Sequence, residues 1–385
     1  MKHKVGIVEF LQSRKGAYTC ILIIVIIFGY LGGTMGASNM LNTMLKTAHD
    51  LLLNTCFYLM AVCVLTGAFC KVLIEFGVAN IMERLLRPLM KPFFGLPGVA
   101  SLGAVMTFLS DNPAIITLSR DKKFSQYFKK YQLVSLTNFG TAFGMGMIVI
   151  MFMISLGFYT EPIVGLVGAL IGSIVSTRLM QFFILRSNPE LREPVIIDNS
   201  EEHHVEMDTE RKSAFIRTLD AVLDGGKTGV ETGLAIIPGV LVISTLVMLL
   251  TFSAGPNGYT GEAYQGTEAL PWLADKIDFV FKWLFGFTDG HLVAFPITAL
   301  GAVGAALGLL PNFLKEGWLD ANSIAVFTAI GMCWSGFLST HTAMLDSLGY
   351  RRLITKAILA HTIGGLAAGI CAHWLYVLIH FLFNL

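Results

Sequence analysis

Six long stretches of this chain carry almost no charge: Tyr18–Gly36, Cys56–Leu73, Tyr131–Phe158, Pro162–Leu185, Leu234–Phe252 and Ile358–Phe383. A helix of about 20 apolar residues is long enough to cross the hydrocarbon core of a bilayer. Lipid offers backbone amides no partners, so a spanning segment must be a helix or part of a closed barrel. The alternating pattern of a barrel strand is absent. Only 14% of the 385 residues are charged, against about a quarter in soluble domains. The expected fold class is therefore an all-α polytopic membrane protein, with about eight or nine membrane segments. The net charge of +1 gives no electrostatic case for nucleic acid; the expected partner is the bilayer.

Lysine and arginine collect on cytoplasmic loops and so orient the spans. Lys2, Lys4, Arg14 and Lys15 precede the first apolar run, which reads as an uncleaved span with a cytoplasmic N-terminus. A bacterial plasma membrane, inner membrane where there are two, is the expected location. The second span, about 53–76, returns to Arg84, Arg87 and Lys91. Segment 79–95 is amphipathic, basic and interrupted by Pro88 and Pro92, as suits a helix lying in the interface.

The apolar stretch 96–118 has basic residues beyond both ends: Lys91 before it, and Arg120, Lys122 and Lys123 after it. A single crossing would place those later charges outside. A re-entrant hairpin with its tip at Ser110-Asp111-Asn112-Pro113 avoids this, and proline both removes a donor and bends the residue before it out of helical geometry. Spans about 131–157 and 162–186 follow, joined by an outer turn at Tyr159–Pro162. Segment 187–228 reads as a polar cytoplasmic linker, in which His203 and His204 are read as solvated surface. Beyond it lie a span at about 232–253 and an acidic outer loop at 254–275. A second interfacial segment, 269–285, carries Trp272 and Trp283. Cys56, Cys63 and Cys70 share one helix face as small packing residues, and no metal-ligand cluster is seen.

The two halves resemble each other. Phe108-Leu109-Ser110-Asp111-Asn112-Pro113-Ala114 is similar to Phe337-Leu338-Ser339-Thr340-His341-Thr342-Ala343, with Lys122 and Lys123 opposite Arg351 and Arg352. Thr137, Gly140, Ala142 and Gly144 stand opposite Thr362, Gly365, Ala367 and Gly369. Phe93-Phe94-Gly95 resembles Leu284-Phe285-Gly286, each closing an interfacial segment. This gives two structural repeats, each with an interfacial helix, a polar broken helix or re-entrant hairpin, and a Gly-rich span. The expected organisation is a leader and first helix at 1–50, a first repeat at 51–186, the linker at 187–228 and a second repeat at 229–385. The apolar segment about 291–310 has no counterpart in this pairing. Whether it crosses the membrane, and whether the repeats are inverted or parallel, stays open at this level.

Broken helices inside a membrane expose amides that attract anions and carbonyls that coordinate cations. Ser110, Asp111, Asn112 and Pro113 at one break, and Ser339, Thr340, His341 and Thr342 at the other, are the candidate substrate- or ion-binding residues. An intramembrane carboxylate such as Asp111 is a functional candidate by default, and His341 could carry a proton. Thr137, Asn138, His361 and Thr362 on the following spans and Asp346 one turn past Thr342 complete the set. The plain alternatives are that Asp111 caps the next half-helix and that the hydroxyls bind helix to helix. Asp289 and His291 read equally well as an ordinary helix start. No catalytic motif and no metal site is found, and enzyme activity is not expected.

This order of elements resembles the nucleoside-recognition, or Gate-domain, membrane protein superfamily, which includes concentrative nucleoside transporters, the membrane part of ferrous-iron transporters and the spore maturation membrane proteins. Gly336–Thr342, Leu348-Gly349-Tyr350-Arg351-Arg352 and His361-Thr362-Ile363-Gly364-Gly365 look like a second Gate repeat of the spore-maturation group. The resemblance covers roughly 53–158 and 229–383. The asparagine–glutamate signature associated with concentrative nucleoside transporters and a fused GTPase domain are both missing from the sequence. The resemblance implies a hairpin-based secondary transporter of a small polar or anionic solute. No resident cofactor is expected, Na+ or H+ being the ions that would couple transport, and a homo-oligomer is compatible with the family. The competing readings are a membrane scaffold acting through linker 187–228 and a flippase of lipid-linked substrates.

Overall fold

The computed structural model describes residues 14–195 and 213–383. Lys2, Lys4, His203 and His204 lie outside the described residues. Among these residues the fold is all-helical, with seven helices long and apolar enough to cross a membrane. Gly16–Met35 is exposed along most of its length, whereas Lys130–Ser155 and Ala321–Ser347 are largely buried at the centre.

The second and fifth of these spans are single long helices, Ala37–Glu75 and Ala214–Thr251. Each contains one wider turn, at Leu51–Cys56 and at Val240–Ser244. Pro238 lies just before the latter, and its missing N–H leaves the carbonyl four residues earlier without its helical partner. The two helices lie backbone to backbone. A Cβ on Gly225 would stand 2.4 Å from the Gly67 carbonyl oxygen, and one on Gly229 2.5 Å from that of Cys63. Lipid gives helices no hydrophobic reason to associate, so this close approach through small residues is what binds them. Residue numbers rise along one helix as they fall along the other, so the pair is antiparallel.

The same holds for Glu161–Ser187 and Arg351–Phe383. Gly172 meets the Gly364 carbonyl, and Gly168 meets that of Ala368. Helices that are counterparts in the two repeats therefore run in opposite directions. The repeats are inverted.

Each repeat has an interfacial helix ending in a left-handed glycine: Gly95 at φ +64 and Gly286 at φ +67. The chain then turns into a helical hairpin. The first consists of Ala100–Leu109 and Pro113–Arg120, broken at Ser110–Asn112. The second consists of Gly290–Val293 and Ala294–Gly301, then Val303–Leu307 and Leu310–Lys315, broken at the extended Ala302. Its two ends meet, with the His291 ring stacked 3.9 Å from Trp318, so segment 291–310 turns back rather than crossing. Asp289 does cap its start, accepting the His291 amide at 2.8 Å.

A broken span follows each hairpin. Lys130–Ser155 unwinds at Ala142–Met145, and Ala321–Ser347 unwinds at Trp334–Gly336. Met145 and Gly336 both take left-handed backbone there. At these three landmarks the counterparts lie 191 positions apart: 95 and 286, 111 and 302, 145 and 336. This corrects the pairing of Phe108–Ala114 with Phe337–Ala343. The latter lies just after the break of a spanning helix, and the true partner of the first hairpin is the segment that had seemed unmatched.

Side-chain bridges repeat as well. Gln132 donates to the Gly95 carbonyl at 2.8 Å, as Asn322 donates to that of Phe285 at 2.8 Å. Arg178 donates to the Pro92 and Phe93 carbonyls, and the pairs Lys130–Glu193, Arg217–Glu75 and Arg352–Glu190 lie at the same end. That end of the molecule is rich in arginine and lysine. The opposite end carries the loop 252–268 and the second hairpin's feet.

Candidate functional site

Pro113 opens the second arm of the first hairpin, and the Asn112 amide donates to Asp111 Oδ1 at 2.7 Å. The break thereby holds one carboxylate oxygen within the peptide turn. Asp111 is half-buried and makes no ion pair among the described residues. Asn112 points inward, 5% exposed. Its side-chain amide donates to the Ser335 carbonyl at 2.5 Å, an oxygen freed by the unwinding at Trp334–Gly336. Asn112 Oδ1 is buried without a partner. Gly144 makes room for this side chain, since a Cβ there would sit 2.3 Å from Asn112 Oδ1. Thr107 ties the first arm to the other break by donating to the Gly140 carbonyl at 3.1 Å.

These contacts border a cavity of about 710 Å³, within the usual range for small-molecule sites. One wall is Ser110, Asp111, Asn112, Ser335, Ser339 and Thr340. Thr66 and Lys71 come from Ala37–Glu75, and Thr228, Glu231 and Thr232 from Ala214–Thr251. Met145, Ile148 and Val303 supply an apolar side. The second hairpin contributes Gly301 to Ala305, with no polar side chain, and is held where Ser244 Oγ donates to the Ala305 carbonyl at 2.8 Å. Lys71 is paired to Asp224 at 2.6 Å, so the charges left facing the cavity are the carboxylates of Asp111 and Glu231.

The lining extends to Lys71 and Ile74, near the arginine- and lysine-rich end. The other end is closed. Tyr264 donates its hydroxyl to Asp50 Oδ2, and Phe252, Phe313 and Trp318 pack beside it. Burial, with Asp50 adding to it, holds the Tyr264 hydroxyl well above the ordinary tyrosine range.

Of the residues singled out in the sequence, Ser110, Asp111, Asn112, Pro113, Ser339 and Thr340 meet on the cavity. The rest lie elsewhere. Asn138 is buried in a span contact, donating to Ser176 Oγ at 3.0 Å and the Ala357 carbonyl at 2.9 Å. Thr137 is buried beside it. His361 lies between Ser176 and the Cys333 carbonyl, and His341 packs against it. Thr362 donates to its own helix at Ile358. Thr342 is exposed and bonded to Leu338, and Asp346 lies 3.6 Å from Arg351 at an exposed helix end. Sequence reasoning missed Thr66, Ser335, Thr228, Glu231 and Thr232. The last three had a signal: polar residues at i, i+3 and i+4 form a stripe on an otherwise apolar helix.

Residues 56–176 match the Gate family, described as nucleoside recognition. This stretch of the chain is similar to a Gate domain. The fold agrees over nearly its whole length. It is similar to a doubly substituted CNTnw in an outward-facing state, at TM-score 0.54 and 14% identity, covering 94% of this chain and 86% of that one. It is similar also to CNTnw in an inward-facing substrate-bound state, at TM-score 0.52 and 13% identity, covering 97% and 87%. No curated protein matches the sequence. The resemblance to the Gate superfamily read from the sequence is borne out, and the Gate match coincides with most of the first inverted repeat.

Proposed function

We propose that this protein is a secondary transporter of a small, neutral, hydroxyl-bearing solute of the nucleoside type. The solute would bind between the tip of the first hairpin and the break at Trp334–Gly336. The observation that carries this reading is the joining of two separate helix breaks around one cavity, through Asn112 and the Ser335 carbonyl. Inverted repeats with discontinuous helices at mid-depth are the architecture on which alternating access is built. The wall of hydroxyls and carboxylates facing Met145, Ile148 and Val303 suits a solute with one hydroxylated and one flat apolar side. With Lys71 engaged by Asp224, the cavity disfavours the anion that the sequence left open.

In this reading Asp111 accepts a solute hydroxyl or helps to hold a coupling cation, and Ser110, Ser339 and Thr340 set orientation. The arginine- and lysine-rich end faces the cytoplasm, so the cavity as it stands is open inward and the N-terminus is cytoplasmic. Purified protein in liposomes should accumulate labelled uridine or adenosine, and excess unlabelled nucleoside should compete where organic anions do not. Asp111→Asn should lower uptake at least about tenfold, the factor that corresponds to about 1.4 kcal/mol. Uptake of organic anions in preference to nucleosides, or unaltered uptake by Asp111→Asn, would refute the assignment.

A further inference from the structure

Behind the cavity lies a polar assembly that solute binding does not use. His361 on Arg351–Phe383 is fully buried and has both ring nitrogens engaged. Its Nε2 faces the Cys333 carbonyl at 2.5 Å, at the break of the second broken span. A carbonyl only accepts, so Nε2 carries the hydrogen. Nδ1 is then the acceptor, and the Ser176 hydroxyl donates to it at 3.1 Å. Asn138 in turn donates to Ser176 Oγ. Every bond in this chain has a fixed direction, and His361 is held as one neutral tautomer.

His341 is its opposite. Its ring stands across that of His361, centroids 4.7 Å apart, also fully buried, and neither nitrogen has a hydrogen-bond partner. It follows Thr340 in the chain, so it belongs to the helix that forms the cavity wall but presents its ring to the other face. From the elements packed around it, the titratable side chain facing it is His361. Cys333 lies beyond, its thiol donating to the Ala169 carbonyl. Arg120, Arg351, Arg352 and Asp346 are at exposed helix ends. The packing thus offers an imidazolium only the Phe337 carbonyl one turn back, with no carboxylate beside it, and a buried charge without a counter-charge is costly. A neutral ring with two idle nitrogens is itself unusual in a packed interior.

We infer that His341 is a proton-binding site linked to movement of the second broken span. It is neutral while that span packs against Arg351–Phe383 as seen here, and it takes a proton from water when the two faces part. His361, locked by Cys333 and Ser176, does not exchange protons and serves as the fixed surface against which His341 closes. If the transport reading holds, on which the role in coupling rests, this makes H+ the coupling ion.

Two measurements test it on the full-length protein. In lipid discs, isotope-labelled histidines are titrated by NMR between about pH 5 and pH 8, with His341→Gln and His361→Gln assigning two of the nine histidines. The His341 signal should titrate together with exchange between two conformers, and the His361 signal should stay neutral. A His341 that keeps one neutral tautomer throughout, or titrates without conformer exchange, overturns the inference. In liposomes, the ratio of uridine uptake driven by an inward proton gradient to uridine exchange at equal pH should be at least about fivefold. It should fall to about one in both His341→Gln and His341→Phe, the second keeping a ring against His361 should the first fold poorly. An unchanged ratio in both variants also overturns it. If the unsubstituted protein moves no uridine in either mode, the nucleoside reading fails, while the NMR titration still decides His341.

Discussion

Asn112 and Ser335 are 223 residues apart in sequence, yet the side-chain amide of one donates to the backbone carbonyl of the other at 2.5 Å. The bond exists because two helices are broken at the same depth, and each break supplies what the other lacks. Removing the amide leaves the Ser335 carbonyl buried and unpaired, which costs about 1–3 kcal/mol. Asn112→Ala should therefore lower the melting temperature and weaken nucleoside uptake together. Asn112→Leu, of similar volume, should do the same, which separates a lost bond from lost packing. Thermal melts in detergent and uptake in liposomes check both.

Gly144 faces the same side chain. A methyl group there would lie 2.3 Å from Asn112 Oδ1 and 2.8 Å from its Cγ, too close for the hairpin tip to stay. Gly144→Ala is expected to displace the tip and reduce uptake at least about tenfold. The melting temperature should fall by less than in Asn112→Ala, because the tip can swing away and leave its backbone partners free to find water in the cavity. Equal uptake by Gly144→Ala would show that the tip need not dock.

Ser339 is exposed and lines the cavity. In a background where Cys20 and Cys371 are replaced by serine, Ser339→Cys should react with a membrane-impermeant thiol reagent from the cytoplasmic side and not from outside. Excess uridine should slow the reaction. Labelling from outside alone would reverse the orientation assigned here.

Tyr264 and Asp50 close the other end. Tyr264→Phe removes one hydrogen bond, worth about 0.5–1.5 kcal/mol, and leaves Asp50 with Asn54 as a donor. The population open to the outside should rise roughly two- to tenfold by that amount. Cysteine accessibility from the external face reads this, and overall stability should change little.

Much of this architecture was legible from apolar run length and charge placement. The re-entrant first hairpin followed from basic residues beyond both of its ends, and the interfacial helices from amphipathic segments carrying Pro88 and Pro92 in one and Trp272 and Trp283 in the other. The pairing of the halves was not legible. Gly301-Ala302-Val303-Gly304 at the second tip has no polar group to set it apart from any small-residue helix. Phe337-Leu338-Ser339 matched the first tip by three letters and stands elsewhere in the fold. The candidate site divided for the same reason. Polarity located Ser110 to Pro113, Ser339 and Thr340 on the cavity, but it could not tell these from Asn138 and His361, whose polar atoms serve contacts between spans. That difference lies in three-dimensional packing, which a one-dimensional pattern does not carry.

Duplication here has kept distances and discarded side chains. Positions 111 and 302 occupy the same place in their repeats, one a carboxylate and the other a methyl. The two tips are therefore free to evolve under different pressures. On the proposed reading, substitution at 110–113 would alter what is recognised, while substitution at 301–304 would be limited by size. A library randomised at both would be expected to return new specificities from the first tip, and from the second mostly variants that move the same cargo at a different pace.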